Sequence, residues 1–336
     1  MRPTEAVLLD ANVIVRDRWL ASAEWGILVR EARDGICEIH VPEVVVREVV
    51  GHHRRELQRC RAAALAAEND ARRLRAVLTV DMDVEAEVEV FEEHLRQALD
   101  EARVVVLEPP PIDLLQLVDQ AALRRRPFDD RGNGFRDAII WEHAIALLPI
   151  NLTLITDDDD FRRDGSLAPE LQADLQERAT GDWVFDLRSS LADYVKNRRT
   201  AKPDLLSEVR SAVVEQEPAL LSEVGSLLER ANVATGGLND VDVQIIEAST
   251  PFDLVLNDAY ADDEDDSLVY VEMTAFAEVE LEVYLWRGQH VPVSEVAEID
   301  LTATFDRSSG RISDMTVHPI DVELDVHLEA AGISVG

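Results

Sequence analysis

Acidic side chains follow two short apolar runs, at the point where each run ends. Asp10 comes directly after residues 7–9, and residues 157–160 are four consecutive Asp that follow residues 152–156. Because open α/β sheets bind ligands at the carboxyl ends of their strands, both groups are predicted to project from the same sheet edge. Adjacent carboxylates repel one another unless a cation lies among them. An isolated Asp run is ordinarily a solvated turn, but its pairing with Asp10 favours a cation site.

Two further acids are predicted to lie on helices. Glu48 stands within an apolar, β-branched stretch, and Asp137 heads a nearly apolar helical segment, where an acid can also serve simply as a cap. With Asp10 and Asp158 they would surround one cleft with oxygen ligands, which Mg²⁺ and Mn²⁺ prefer. Such a site suits phosphodiester hydrolysis, because the metal lowers the pKa of a bound water and neutralises charge on the leaving oxygen.

The elements that must position these acids follow from the apolar pattern of the first two hundred residues. Short β-branched runs alternate there with longer segments of helical period, which predicts an α/β domain with a mostly parallel sheet flanked by helices. The predicted strands cover residues 6–9, 38–41, 104–107, 151–155 and 183–185. The predicted helices cover residues 21–34, 42–78, 84–101, 113–125, 136–148, 169–179 and 187–198.

A second, smaller α+β domain is predicted after a basic linker at residues 197–203, so the boundaries are 1–198 and 199–336, with a helical insertion at about 55–125. It begins with one or two amphipathic helices over about 204–231, interrupted at Pro218. Period-two alternation over about 240–330 then predicts an antiparallel sheet with one wet, acidic face. The alternation is clearest in 269–286, 298–305 and 317–327, with a hairpin turn at 307–310 and a solvated acidic loop at 262–266.

The net charge of −35 argues against broad nonspecific binding of nucleic acid. Residues 201–336 hold 6 basic and 29 acidic side chains, so the second domain should not bind nucleic acid and is expected instead to contact a protein partner or a second copy. No apolar run is long enough to span a bilayer, and the first fifteen residues are interrupted by charges where a signal peptide would be apolar. We therefore expect a cytoplasmic protein without a membrane partner.

Four segments resemble, in order, the four acidic motifs of PIN-domain nucleases. They are Leu8-Leu9-Asp10-Ala11-Asn12, Val41-Pro42-Glu43-Val44-Val45-Val46-Arg47-Glu48, Phe135-Arg136-Asp137-Ala138-Ile139-Ile140-Trp141-Glu142 and Leu154-Ile155-Thr156-Asp157-Asp158-Asp159-Asp160-Phe161. The resemblance covers about residues 4–190 and implies a PIN-like fold and a Mg²⁺- or Mn²⁺-dependent endoribonuclease. The long segment between the second and third motifs is similar to larger PIN-like proteins with an appended C-terminal domain.

The resemblance also assigns expected roles by position. It implies that Asp10, Glu48, Asp137 and Asp158 are the catalytic, metal-binding acids, with Asp160 as a further ligand. It implies that Asn12 and Thr156 support the metal shell, as Asp157 could. These roles are expectations for a single metal-dependent site.

Cations are also needed to hold the phosphates of an RNA substrate, which we expect to be single-stranded or structured. Arg131 and Arg136 flank the Gly-rich loop before Asp137 and are the candidates, because guanidinium groups bind phosphate in a bidentate manner. The arginines at positions 54, 55, 59 and 61 on the long helix are interpreted as a solvated face.

Two other functions stay open. Residues 10–14 also resemble the nucleophile loop of haloacid-dehalogenase-type phosphatases, but that chemistry needs a lysine and the first lysine is Lys196. A non-catalytic, metal-dependent RNA-binding or interaction protein is the second alternative. Loss of RNA cleavage in Asp10→Asn would separate a nuclease from such a scaffold.

Overall fold

The computed structural model describes residues 5–17, 19–77, 79–129, 131–148, 151–178, 183–228, 231, 233–234, 241–262, 266–285 and 290–321. Its contacts divide the chain into two compact units, Met1–Leu20 with Ile27–Tyr194, and Ala21–Gly26 with Val195–Gly336. The first unit therefore ends at Tyr194, whereas composition places the boundary at 198. No compositional signal marks residues 21–26 as part of the second unit.

The strands before residue 190 are β1 (Glu5–Leu9), β2 (Cys37–Pro42), β3 (Val105–Leu107), β4 (Asn151–Ile155), β5 (Arg162–Arg163), β6 (Ser166–Leu167) and β7 (Phe185–Arg188). Five of them form a parallel sheet in the order β3-β2-β1-β4-β7, while β5 and β6 form a short hairpin. The central strand β1 is fully buried at Val7, Leu8 and Leu9, as expected for a parallel sheet covered on both faces. The predicted α/β fold is confirmed.

The helices up to residue 197 are α1 (Ala11–Arg16), α2 (Ala23–Arg33), α3 (Glu43–Arg73), α4 (Val84–Glu101), α5 (Leu114–Ala122), α6 (Phe135–Leu147), α7 (Pro169–Arg178) and α8 (Leu191–Asn197). The pattern predicted Pro42 as the first residue of α3. Pro42 is instead the last residue of β2, and α3 begins at Glu43. Helix α3 ends at Arg73, earlier than predicted; the predicted ends at 78 and, for α7, at 179 lie outside the described residues. Helix α1 is an addition to the prediction, and it places Asp10 at a strand-to-helix junction.

The C-terminal half contains helix α9 (Leu206–Leu228) and strands β8 (Thr200–Ala201), β9 (Val233–Ala234), β10 (Val241–Ala248), β11 (Phe252–Ala261), β12 (Leu268–Leu285), β13 (His290–Asp306), β14 (Arg311–Val317) and β15 (Ile320–Asp321). Six of the strands form an antiparallel sheet in the order β14-β13-β12-β11-β8, with β10 also paired to β12. The predicted antiparallel sheet is confirmed.

Helix α9 runs through Pro218, so the predicted interruption at that residue is wrong. Val213 before the proline and Leu220 after it are both buried in the core formed with the sheet. Burial of apolar side chains on both sides offsets the hydrogen bond that a proline removes from a helix.

The long strands β12 and β13 pair from Leu268 with Asp306 to Tyr284 with His290, and the turn between β13 and β14 falls at the predicted residues 307–310. Glu278 and Glu280 lie on the exposed face of β12. Strand β13 is longer than the predicted 298–305, and β14 precedes the predicted 317–327, of which residues 322–327 lie outside the described part. Residue 286, the predicted strand end, and residues 263–265 of the acidic loop also lie outside it.

Within the described ranges, no helix combines the length and hydropathy needed to cross a membrane.

Candidate metal centre

Asp10 lies at the carboxyl end of β1, where the parallel pairing of β1 with β4 brings it beside Thr156. Its side chain is 5% exposed and accepts hydrogen bonds from Thr156 Oγ1 (2.6 Å), Ala11 N (2.6 Å) and Asn12 Nδ2 (3.3 Å). Burial raises the pKa of Asp10, and the hydrogen bonds from Thr156 and Ala11 oppose that rise. Three donors therefore hold a buried carboxylate in one orientation.

Thr156 organises the loop that follows β4. Its buried hydroxyl oxygen accepts a hydrogen bond from Asp158 N (3.1 Å), and Asp158 Oδ1 accepts one from Asp160 N (2.7 Å). The carbonyl oxygen of Thr156 accepts a hydrogen bond from Arg162 Nη2 (3.0 Å). These contacts set the course of the loop, so that the alternate acids Asp158 and Asp160 come together.

Asp137, Asp158 and Asp160 each offer a carboxylate oxygen, and the three oxygens lie within 4.8 Å of one another. Burial raises the pKa of Asp137 to about 7, and the charges of Asp158 and Asp10 add to the rise. Burial also raises the pKa of Asp160, again with a contribution from Asp158. Partly buried carboxylates this close together repel one another, and a bound cation would relieve that repulsion. Three hard oxygen donors fit Mg²⁺ or Mn²⁺ in ligand type.

Gly134 fixes where α6, and with it Asp137, begins. Its φ is +119°, and a Cβ atom there would lie 2.6 Å from the carbonyl oxygen of Pro127, so only glycine fits. The loop before it is held by Asp129, whose carboxylate accepts hydrogen bonds from Arg131 N (2.8 Å), Asn133 N (2.7 Å) and Asn133 Nδ2 (2.9 Å). The Gly-rich loop is thus an ordered support for the first turn of α6.

Glu48 forms an ion pair with Arg136 and is not one of the three acids whose oxygens converge. Arg136, predicted to contact substrate, is therefore the counter-ion of Glu48 in this structure. Its charge partly opposes the rise that burial causes in the pKa of Asp10 and of Asp137. The structure thus couples Asp10, Asp137 and the Asp run electrostatically and leaves Glu48 at the border of that cluster.

The remaining predicted residues divide between the cluster and its surroundings. Asp157 pairs with Arg16 on α1 and is exposed, so it is directed to a different partner from Asp158. The side chain of Arg131 is exposed and makes no ion pair with any residue in the described ranges. Asn12 contacts both Asp10 and Thr156, the latter at 3.4 Å.

Arg126 is the residue whose role the sequence did not single out. It forms an ion pair with Asp160 and donates a hydrogen bond to the carbonyl oxygen of Asp159 (3.0 Å). The sequence shows only a run of three arginines at 124–126, and no local pattern distinguishes the one that reaches the Asp run. Arg126 and Arg136 together supply positive charge beside the acidic cluster.

Residues 7–161 match the model of a family described as PIN domain. The match begins three residues before Asp10 and ends one residue after Asp160, so it contains every acid of the cluster. Comparison with curated proteins and with solved structures gave no match.

Proposed function

We propose, on the premise that residues 7–161 form a PIN domain, that this protein hydrolyses RNA phosphodiester bonds with a divalent cation, Mg²⁺ or Mn²⁺. PIN domains are generally metal-dependent nucleases, which supports this class of activity. The observation that carries the proposal is the convergence of Asp137, Asp158 and Asp160 beside the buried Asp10. RNA as substrate, and the assignment of individual residues, are the parts that experiment must test.

The protein's own groups would divide the work between binding and positioning. Asp137, Asp158 and Asp160 would hold the cation, and Asp10, kept in place by Thr156 and Ala11, would orient the ligands around it. A bound Mg²⁺ or Mn²⁺ would supply Lewis acidity that lowers the pKa of a water molecule and offsets charge on the leaving oxygen.

Arginine side chains would hold the substrate's phosphates. Arg131 is exposed beside α6, and Arg136 and Arg126 carry guanidinium groups already paired with carboxylates of the site. An incoming phosphate can exchange for a carboxylate as the bidentate partner of a guanidinium group. Glu48, released in such an exchange by Arg136, would then lie next to the acidic cluster as an additional carboxylate.

The Asp run offers a matched pair of variants. Asp158→Asn removes a carboxylate of the cluster, whereas Asp159→Asn makes the same change at the exposed neighbour. With a labelled single-stranded RNA and Mg²⁺ or Mn²⁺, we expect Asp158→Asn and Asp10→Asn to lose at least about 100-fold in cleavage rate, and Asp159→Asn to stay near the wild type. Chelation with EDTA should abolish cleavage by the wild type.

Calorimetric titration with Mn²⁺ gives a second measurement that does not depend on choosing a substrate. The wild type and Asp159→Asn should bind the ion, and Asp158→Asn should not. Cleavage that persists in EDTA, or equal losses in Asp158→Asn and Asp159→Asn, would contradict the proposal. Metal binding without cleavage of RNA would support the scaffold alternative, and release of phosphate from a monoester would support the phosphatase alternative.

A further inference from the structure

Helix α3 extends well beyond the helix packed beside it. It has 31 residues, about 46 Å of helix. The neighbouring α4 runs antiparallel to it, because Arg96 on α4 pairs with Glu43 (2.9 Å) and Arg54 on α3 pairs with Glu85 (3.0 Å). The first turn of α4 therefore lies beside Arg54, and the rest of α3, about 28 Å, continues past it. We call residues 55–73 the α3 arm.

The arm has two different faces. At about 100° of rotation per residue, the half-buried Leu57, Ala64, Glu68 and Ala71 form one stripe. All five arginines of the arm are exposed and fall within about 160° on the other side. They are Arg55, Arg59, Arg61, Arg72 and Arg73. The arm thus presents a positively charged face in a chain of net charge −35.

Most of this charge is not neutralised by neighbouring acids. Arg72 pairs with Glu68 at the edge of the face (2.7 Å). Arg55, Arg59 and Arg61 form no ion pair with any residue in the part of the chain that the structure describes. Small side chains such as Ala62 lie between them, so an extended partner can approach the guanidinium groups closely. Three exposed arginines without an ion pair among the described residues are complementary to an anionic partner, and guanidinium groups bind phosphate in a bidentate manner.

The arm is continuous with the candidate metal centre. Glu48, which pairs with Arg136 next to Asp137, lies on α3 itself. Arg59 lies about 16 Å further along the helix axis, and Arg73 about 37 Å. We propose that the α3 arm binds the phosphate backbone of an RNA strand whose cleavage site lies at the acidic cluster, an inference that rests on the proposed function. Because a stacked strand advances by about 3.4 Å per nucleotide, Arg59 is reached about five nucleotides from the cleavage site and Arg73 about eleven.

The test compares two double variants that change the net charge equally. Arg59→Gln/Arg61→Gln removes two charges from the arm, and Arg33→Gln/Arg103→Gln removes two exposed charges elsewhere. Binding of a 20-nucleotide single-stranded RNA to the full chain is measured in EDTA over a range of salt concentrations. Two lost phosphate contacts should weaken binding about 25-fold in 0.1 M salt and lower the slope of log K against log salt by about 1.4. The control should bind as the wild type does.

Cleavage of substrates of two lengths supplies the second measurement. For the 20-nucleotide RNA we expect the arm variant to show a raised KM and an unchanged kcat, whereas cleavage of a tetranucleotide, too short to reach Arg59, should be unaffected. Equal weakening by both double variants would overturn the proposal, because it would show an effect of total charge. Unchanged RNA binding with a changed oligomeric state would overturn it in favour of contact with a second copy.

The binding measurement also separates this proposal from the proposed function. If the wild type binds the 20-nucleotide RNA through the arm in EDTA but cleaves no RNA when Mg²⁺ or Mn²⁺ is added, the arm is supported and the nuclease assignment fails. If cleavage depends on the metal but the arm variant behaves as the wild type on both substrates, the arm proposal fails and the nuclease assignment stands.

Discussion

Replacing Asp137 with asparagine should stabilise the metal-free protein at pH 8, although the variant should lose activity. The pKa of Asp137 is about 7, raised chiefly by burial and further by Asp158 and Asp10. At pH 8 the folded protein must therefore keep a carboxylate ionised in an environment that favours its protonated form. Asparagine has a similar shape and carries no charge, so it removes this unfavourable energy.

The magnitude follows from the difference between the folded pKa and the ordinary value of 3.8. The difference between these two pKa values corresponds to about 4 kcal/mol, and solvent screening of a partly exposed carboxylate reduces this to about 2 kcal/mol. Because the folded pKa is raised, the folded state binds more protons, and stability falls as pH rises from about 4 to about 7. The gain in Asp137→Asn should therefore be about 2 kcal/mol at pH 8 and about 0.5 kcal/mol at pH 4.5.

Urea unfolding in EDTA at the two pH values measures this difference, with Asp159→Asn as the control that should show little change. Addition of Mg²⁺ at 100 times its Kd should stabilise the wild type by about 2.7 kcal/mol and leave Asp137→Asn unchanged. If Asp137→Asn is destabilised at pH 8 as much as at pH 4.5, its carboxylate is a structural cap and the reasoning is refuted.

Three further substitutions test individual contacts that stabilise each of the two units. Thr156→Val removes the hydroxyl that donates to Asp10 and accepts from Asp158 N, so Mn²⁺ affinity measured by calorimetry should fall about 10- to 100-fold, and Thr156→Ser should restore it. Gly134→Ala combines a positive φ with a Cβ 2.6 Å from a carbonyl oxygen and should lower the unfolding free energy by about 2 kcal/mol or more; Gly165→Ala, at positive φ in open space, should cost less. Tyr270→Phe deprives the buried Glu24 carboxylate of a 2.7 Å hydrogen bond and should cost about 1–3 kcal/mol in urea unfolding, and an unchanged midpoint would show that Glu24 finds another donor.

The sequence predicted elements best where one face of a segment is buried. Helix α4 was predicted to the residue, because Asp83 caps its first turn and the apolar positions 84, 88, 91, 95 and 99 repeat at helical spacing. All five of these side chains are buried. Helix α1 escaped prediction because half of its six residues are β-branched and because six residues are too few to show a period. Pro218 was wrongly predicted to interrupt helix α9. Burial of apolar side chains on both sides of the proline outweighs the tendency of proline to break a helix.

The sequence favoured the convergence of Asp137, Asp158 and Asp160 because their positions depend on strand and helix ends, which the sequence pattern marks. The counter-ions of the acidic residues could not be predicted, since ion pairs such as Arg126 with Asp160 and Arg16 with Asp157 join residues 34 and 141 positions apart. Such pairs depend on how side chains approach after the sheet has formed. The ion pair between Glu48 and Arg136 could not be predicted either, because the position of Glu48 in the sequence motif does not indicate its partner.

A chain of net charge −35 repels a polyanion overall, so it can bind one only through short-range contacts with a positively charged part of its surface. Repulsion from distant acids is screened beyond about 8 Å at physiological salt, whereas guanidinium–phosphate contacts act at hydrogen-bond distance. Low salt should therefore slow the encounter with RNA through the overall charge, and strengthen the bound state through the α3 arm. Association and dissociation rates measured against salt should consequently both rise with salt, and the Arg59→Gln/Arg61→Gln variant should weaken the dependence of the dissociation rate while leaving that of the association rate nearly intact. A wild-type association rate that falls with salt would show instead that the arm's local field governs the encounter as well as the bound state.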